Sequence, residues 1–272
     1  MRFLENMAKN YLEKRDKKVI DQRYFDLVFS DYQVSSARNH IKYAVQSLPE
    51  WIKPIYEVVK GRTMTPVERL YNFCDSVDYC IRSGIDGAVV ECGVWRGGGM
   101  AAVARHLVQR GHPPRDLYLY DTFEGHPMPD AERDVDIHGN PALPIWERHR
   151  TGDSMDKSDW CVADLDDVKA GMTETGYPQD RLHYVKGRVE HTLPDVAPEK
   201  IAVLRIDTDW YESIKHILNV LYDRVSPGGV IIFDDYGHLT GAQQAVDEFY
   251  EERREAPILF RIDYSCRATI KR

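Results

Sequence analysis

Three aspartates that follow two apolar segments are the residues of this sequence best suited to chemistry. Asp207 follows the segment 201–206, and Asp234 and Asp235 follow the segment 230–233. Each segment has the composition of a buried parallel strand, and ligands in open α/β sheets bind outside the carboxyl ends of such strands. If the two strands are neighbours, the three carboxylates repel one another unless a proton or a cation lies between them. Hard oxygen ligands favour Mg²⁺, Mn²⁺ or Ca²⁺, so the sequence predicts a divalent-metal enzyme.

A fourth acid, Asp209, lies two positions after Asp207 and completes a DxD pair. Both acids of such a pair can bind a metal, as in glycosyltransferases, or one binds the metal while the other acts as a base. Capping of a helix predicted to begin at Tyr211 is the alternative for Asp209, because aspartate is a favoured N-cap residue. The acids Asp234 and Asp235 favour the metal interpretation, since two acids after four apolar residues cost solvation free energy unless they serve a site.

A glycine-rich turn at 93–99 predicts a second ligand site. It lies between a predicted strand and a helix predicted for 100–109, so backbone N–H groups and the positive end of the helix face an anion or a nucleotide. Its spacing matches neither the dinucleotide fingerprint nor a Walker loop. Asp121 ends the next predicted strand, where an acid can accept both ribose hydroxyls; capping of the following segment is the alternative. Trp95, within the turn, is predicted either to contact a cofactor or to pack against the core.

The elements that must position these residues alternate along the chain. Residues 1 to about 85 are predicted to form a helical extension, whose last helix has Thr65 as its N-cap and Pro66 at its first position. The remaining predicted elements are strands at 88–92, 117–121, 182–185, 201–206, 230–233, 258–262 and 268–270, and helices at 100–109, 160–171, 211–222 and 241–251. This order predicts, for a core of residues 86–272, a doubly wound α/β sheet with an antiparallel C-terminal hairpin. The polar, proline- and glycine-rich stretch 127–158 interrupts it and is predicted to be a lid.

Composition restricts the class of protein. At 272 residues and 43% hydrophobic content, the chain can bury the core of one large α/β domain. A net charge of −8 argues against a nucleic-acid-binding surface. No apolar run approaches the roughly 18 residues of a membrane span, and the first residues lack the apolar core of a signal peptide. Five cysteines without a CxxC pair indicate free thiols in a reducing cytoplasm and argue against a zinc site.

Four motifs resemble those of the macrocin O-methyltransferase family. They are ECGVWRGG at 91–98, YDTFEG at 120–125, LRIDTDWYES at 204–213 and SPGGVIIFDDYG at 226–237, within a likeness that runs from about residue 63 to 251. Enzymes of this family use S-adenosylmethionine and methylate sugar hydroxyls on glycosylated natural products. The resemblance implies a Rossmann-like class I methyltransferase sheet and a homo-oligomer in which N-terminal segments reach a neighbouring site.

The resemblance also implies roles for the acids. Asp207, Asp234 and Asp235 would hold Mg²⁺, with Mn²⁺ as the other candidate, and Asp209 would be the general base. A carboxylate is too weak a base for a free sugar hydroxyl by roughly eight or more pKa units, so the base and the metal are expected to work only together.

Nine residues are implied to contact S-adenosylmethionine: Thr63, Met64, Glu91, Gly93, Val94, Trp95, Asp121, Gly187 and Arg188. Glu91 and Gly93 would lie near its methionine part and Asp121 on its ribose. Gly187 and Arg188 fall where its adenine is expected.

The acceptor is predicted to be a small glycosylated molecule that binds beneath the lid. His138 and His149 are the histidines best placed to contact it, with solvated or packing histidines as the alternative. Trp146 is predicted either to stack on a sugar or aglycone or to anchor the lid in the core. Tyr236, next to the acidic pair, is predicted to line the acceptor pocket, with packing as its alternative.

Three rival functions share parts of this pattern. A DxD glycosyltransferase would use a nucleotide-sugar and Mn²⁺, but it explains the glycine turn and Asp121 less well. A catechol-type methyltransferase would use the same cofactor and metal on an aromatic vicinal diol. A non-catalytic scaffold would keep the fold, but it does not explain why Asp209 accompanies all three predicted metal ligands.

Overall fold

The alternating segments form a seven-stranded sheet in a computed structural model that describes residues 48–272. The strands are β1 (Ala88–Cys92), β2 (Leu117–Asp121), β3 (Leu182–Lys186), β4 (Ile201–Ile206), β5 (Val225–Phe233), β6 (Phe260–Arg261) and β7 (Arg267–Ile270). Their order is β3-β2-β1-β4-β5-β7-β6, in which β1 to β5 pair in parallel and β7 is antiparallel to both of its neighbours. The predicted doubly wound sheet with an antiparallel C-terminal hairpin is therefore confirmed.

Helices cover both faces of this sheet. They are α1 (Ile52–Val59), α2 (Val67–Arg82), α3 (Gly98–Arg110), α4 (Leu143–His149), α5 (Leu165–Thr173), α6 (Val189–Thr192), α7 (Tyr211–Leu221) and α8 (Thr240–Glu252). Side chains alternate between the two faces of a strand. Leu204 and Ile206 of β4 pack with the buried side chains of α7 and α8, whereas Arg205 lies over the ring of Phe73 of α2. None of the described helices is long and apolar enough to cross a bilayer.

The carboxyl ends of β1, β4 and β5 are level with one another. Cys92 pairs with Ile206, and Ile206 pairs with Phe233. The strand order reverses between β1 and β4, which makes this edge the topological switch point where open α/β sheets bind ligands. Residues that directly follow these strands must therefore emerge side by side, as the sequence predicted for the acids.

Two predicted details are wrong, and one predicted segment contains an element that the sequence did not indicate. The helix predicted at 160–171 begins only at Leu165, where Asp164 accepts a hydrogen bond from a backbone N–H of the first turn. The predicted lid contains a helix of its own, α4. Thr65 does not cap α2, which begins at Val67 without a side-chain cap. The Thr65 hydroxyl instead accepts a hydrogen bond from Arg205 (2.9 Å). The part of the predicted N-terminal extension before residue 48 lies outside the described residues.

Candidate active site

A cavity of about 670 Å³ opens at the level carboxyl ends of the strands. That volume lies within the range of small-molecule sites. All thirteen residues predicted to bind cofactor or metal or to act as the base line it: Thr63, Met64, Glu91, Gly93, Val94, Trp95, Asp121, Gly187, Arg188, Asp207, Asp209, Asp234 and Asp235. The topology thus brings these residues, which are far apart in sequence, together around one cavity.

Carboxylate oxygens of Asp207, Asp234 and Asp235 converge within 4.8 Å of one another. Burial, together with the neighbouring carboxylates, holds the pKa values of Asp207 and Asp235 well above their usual range. The charges of two arginines keep the pKa of Asp234 below its usual value, so a further cation is needed mainly to ionise Asp207 and Asp235. Three hard oxygen donors at this spacing fit a dication such as Mg²⁺.

A buried arginine that sequence analysis missed is the resident counter-charge of this cluster. Arg205 Nη2 lies 2.8 Å from Asp207 Oδ2 and 2.7 Å from Asp234 Oδ1, and Arg205 Nη1 donates to Glu91 Oε1. The sequence did indicate this role, because an arginine inside the apolar segment 201–206 must find charged partners when it is buried.

A second arginine, Arg69 of α2, contacts the same cluster. It donates to Asp234 Oδ2, and its Nε lies 2.6 Å from Asp263 Oδ2. Among the described residues, five carboxylates of the cluster face only these two guanidinium groups: Glu91, Asp207, Asp209, Asp234 and Asp235. The cluster thus has more acidic groups than positive charges, and a bound dication would stabilise their ionised forms. Asp234 has the fewest free lone pairs, since both of its oxygens already accept from arginines.

Asp209 lines the cavity, where its carboxyl group hydrogen-bonds with that of Asp235, and it does not cap α7. The first N–H of α7, that of Tyr211, donates to Asp134 Oδ1 (2.9 Å), so the capping alternative for Asp209 is wrong. Burial, reinforced by the charge of Asp207, raises the pKa of Asp209 to about 7. The backbone of Asp209 has φ +65°, a left-handed conformation that non-glycine residues adopt mostly where function requires it.

The glycine turn packs against the aspartate cluster at backbone level. Gly93 has φ +86°, and a Cβ there would lie 1.8 Å from the carbonyl oxygen of Asp207. Asp121 Oδ2 accepts from the N–H groups of Val94 and Trp95 (2.9 Å each), and Oδ1 accepts from that of Phe123 (2.8 Å). Asp121 therefore fastens the glycine turn and also caps the segment that follows it, which was the alternative interpretation. Its Oδ1 keeps lone-pair capacity for a further donor.

We expect Gly93→Ala to destabilise the protein by about 3 kcal/mol, because strain at positive φ adds to a collision with rigid backbone. The measurement is the free energy of unfolding from urea denaturation. Gly176→Ala is the matched control, since Gly176 has φ +72° but no atom within 4 Å of the added Cβ. The control should cost only about 1 kcal/mol. Equal losses for the two variants would show that the close approach of Gly93 to Asp207 is unimportant.

Glu91 places an unsatisfied acceptor in the cavity. The residue is 1% exposed, and burial raises its pKa to about 7 despite the neighbouring Arg205. Oε1 accepts from Arg205, whereas Oε2 has no hydrogen-bond partner within residues 48–272. A buried oxygen without a partner is costly, so this atom is suited to accept from a ligand's ammonium group.

The four residues predicted to contact the acceptor lie outside the cavity: His138, Trp146, His149 and Tyr236. Trp146 is buried and donates its indole N–H to the carbonyl oxygen of His126 (2.9 Å), which is the lid-anchoring alternative. The Tyr236 hydroxyl donates to Asp247 (2.7 Å). The two histidines are exposed, and His149 pairs with Asp159. The hydrophobic or charged character of a lid residue did not reveal the direction of its side chain.

Three of the aromatic side chains that line the cavity pack against one another: His126, Trp160 and Trp210. Their ring centroids are 5.1 to 5.7 Å apart, and we call them the aromatic cluster. His126 Nε2 lies 3.2 Å from Asp209 Oδ2. Burial lowers the pKa of His126 to about 4, so this imidazole is neutral at physiological pH. The position of His126, directly after the YDTFEG motif, was the sequence feature that could have predicted its place in the site.

A seven-stranded sheet of this order, with a glycine turn and an acid at its switch point, is the fold of class I methyltransferases. The chain belongs to the macrocin O-methyltransferase family, whose model, described as "Macrocin-O-methyltransferase (TylF)", matches residues 6–270. The predicted family is thereby confirmed.

Named relatives agree with this membership. Demethyldecarbamoylnovobiocin O-methyltransferase of Streptomyces niveus is 32% identical over 205 residues, which are 75% of this chain and 73% of that protein. The 8-demethyl-8-(2,3-dimethoxy-alpha-L-rhamnosyl)-tetracenomycin-C 4'-O-methyltransferase of Streptomyces olivaceus is 30% identical over 194 residues, 70% of this chain and 67% of that protein. The solved structure of the O-methyltransferase NovP superposes with a TM-score of 0.65 at 27% identity, covering 77% of this chain and 82% of that one.

Proposed function

We propose that the protein transfers a methyl group from S-adenosylmethionine to a sugar hydroxyl of a glycosylated natural product in antibiotic biosynthesis, with Mg²⁺ (or Mn²⁺) as its metal. The observation that carries the proposal is the position of Asp209 beside three converging aspartates in the cavity that also contains the glycine turn. The Streptomyces olivaceus relative supports the acceptor class, since its name describes a rhamnosyl compound.

The cavity residues fit the methyl donor. The free Oε2 of Glu91 would accept from the ammonium of its methionine part, and the spare lone pair of Asp121 would accept from a ribose hydroxyl. Gly187 and Arg188 line the cavity where the adenine is expected. When bound, S-adenosylmethionine supplies an electrophilic methyl group, and the dication lowers the pKa of a coordinated hydroxyl.

Side chains of the protein carry out the other steps of the reaction. Asp207, Asp234 and Asp235 would hold the dication. Asp209 takes the proton of the acceptor hydroxyl as that oxygen forms its bond to the methyl carbon and the carbon–sulfur bond breaks. The neutral imidazole of His126, 3.2 Å from Asp209, adds no charge that would compete for the base. The aromatic cluster keeps water from the reacting atoms on the lid side.

We expect methyl transfer to a rhamnosylated aromatic acceptor, and not to its aglycone or to catechol, when each is incubated with the protein, S-adenosylmethionine and Mg²⁺. Mass spectrometry of the products measures the transfer. Excess EDTA should abolish it, and restored Mg²⁺ should return it, because aspartate alone is too weak a base.

Three outcomes would contradict the proposal in different ways. Equal rates with and without EDTA would remove the metal from the mechanism. Methylation of catechol alone would support the catechol-type alternative. Transfer of a sugar from a nucleotide-sugar would revive the glycosyltransferase alternative, which membership of a methyltransferase family speaks against. The homo-oligomer stays a prediction, since the N-terminal segments it involves precede the described residues.

A further inference from the structure

A second cluster of metal-ligating side chains lies away from the cavity. It consists of Asp78 of α2, His106 of α3 and His112, two residues beyond the end of α3. None of the three lines the cavity. The Nε2 atoms of His106 and His112 lie 2.8 Å and 2.9 Å from the same oxygen, Asp78 Oδ1, and all three ligand atoms are within 4.8 Å of one another.

The backbone after α3 fixes this convergence. Gly111 has φ +64° and ends the helix, and its left-handed conformation turns the chain back toward α2. The N–H of His112 then donates to the carbonyl oxygen of Leu107 (3.0 Å), which holds the His112 side chain beside His106. The ring of Trp51, 4.3 Å from that of His106, covers the cluster.

Hydrogen bonding alone does not account for the cluster. His106 is 1% exposed, and its Nε2 makes no well-aligned hydrogen bond with any described residue, although Asp78 Oδ1 is 2.8 Å away. The two atoms have the distance but not the alignment of a hydrogen bond, and Oδ1 already faces His112. A buried nitrogen without a partner is costly, whereas a metal ion between the three atoms would satisfy all of them.

We propose that Asp78, His106 and His112 form a zinc site. Two imidazole nitrogens and one carboxylate oxygen are ligands that Zn²⁺ favours, and Mg²⁺ disfavours a site rich in imidazole. The side chains of Asp78 and His112 are 15% and 23% exposed, so water can reach the fourth coordination position. The ion would tie α2, which carries Arg69 to the aspartate cluster, to α3, which begins at the glycine turn.

The test uses the full-length protein, stripped of metal and then equilibrated with excess Mg²⁺ so that the aspartate cluster is filled. One equivalent of Zn²⁺ should bind in equilibrium dialysis measured by atomic emission. Because the ion binds only the folded protein, a hundredfold excess over its Kd should raise the Tm by about 5 to 10 °C. Co²⁺ in its place should give the intense visible absorption of a four-coordinate site.

Two variants decide whether the named residues are the ligands. His112→Gln removes one ligand at a partly exposed position and should lose the bound Zn²⁺ and the Tm rise. His183→Gln is the matched control, because His183 also pairs with a carboxylate, Asp116 at 2.8 Å, but belongs to no group of three metal-ligating side chains within residues 48–272. This variant should keep both the bound Zn²⁺ and the Tm rise. Absence of Zn²⁺ from the wild-type protein, or retention by His112→Gln, would overturn the proposal. Neither result depends on methyl transfer.

Discussion

Asp209→Asn is expected to lower the rate of methyl transfer by about 10²- to 10⁴-fold, the contribution of a general base. Asparagine has the shape of aspartate but cannot take the acceptor proton. The three predicted metal ligands and the residues of the glycine turn are unchanged in this variant. The measurements are the rate at saturating S-adenosylmethionine and Mg²⁺, and calorimetric binding of S-adenosylhomocysteine, which should match the wild-type protein.

The structure supplies a control from the same motif. Glu212 lies three positions further on, is exposed and pairs with Arg133 on the surface, and does not line the cavity. Glu212→Gln should therefore leave the rate unchanged. A rate for Asp209→Asn within tenfold of wild type would assign the proton to another group, and His126, 3.2 Å away, would be the first to test.

The sequence was sufficient to predict that Asp207, Asp234 and Asp235 converge, because their positions depend on local patterns. Asp207 and Asp234 each follow an apolar strand directly, and parallel strands end at the same edge of a sheet. Only the adjacency of β4 and β5 had to be assumed. The same argument predicted that the glycine turn and Asp121 lie at this edge, where both line the cavity, since a strand–turn–helix is a short-range signal.

Partners that come from distant elements could not be predicted. Arg205 joins Glu91 of β1, Thr65 ahead of α2 and Asp234 after β5, and no spacing in the sequence relates these positions. The predicted acceptor contacts of the lid residues were wrong for a related reason. Trp146 and His126 both follow polar turns, but only the packed structure shows that the first faces the core and the second faces the cavity.

The central position of Arg205 leads to the second large prediction. Arg205→Met should lower the free energy of unfolding by about 3–5 kcal/mol at pH 8, because it leaves the buried carboxylates of Glu91 and Asp207 without a counter-charge. Arg181→Met is the control: Arg181 forms an exposed pair with Asp116, and its loss should cost less than about 1 kcal/mol. Urea denaturation of the metal-free proteins measures both.

The decrease in the free energy of unfolding caused by Arg205→Met should become larger as the pH rises. Burial raises the pKa of Glu91 from 4.5 to about 7, so its protonated form stabilises the fold below its ordinary pKa, and that contribution is lost as the pH rises through 7. Without Arg205 the pKa of Glu91 rises further, and protonation relieves more of the repulsion. The variant should therefore be closest to wild type at pH 5, and at pH 8 added Mg²⁺ should recover part of the loss. An equal loss at both pH values would mean that Arg205 acts mainly by packing on Phe73.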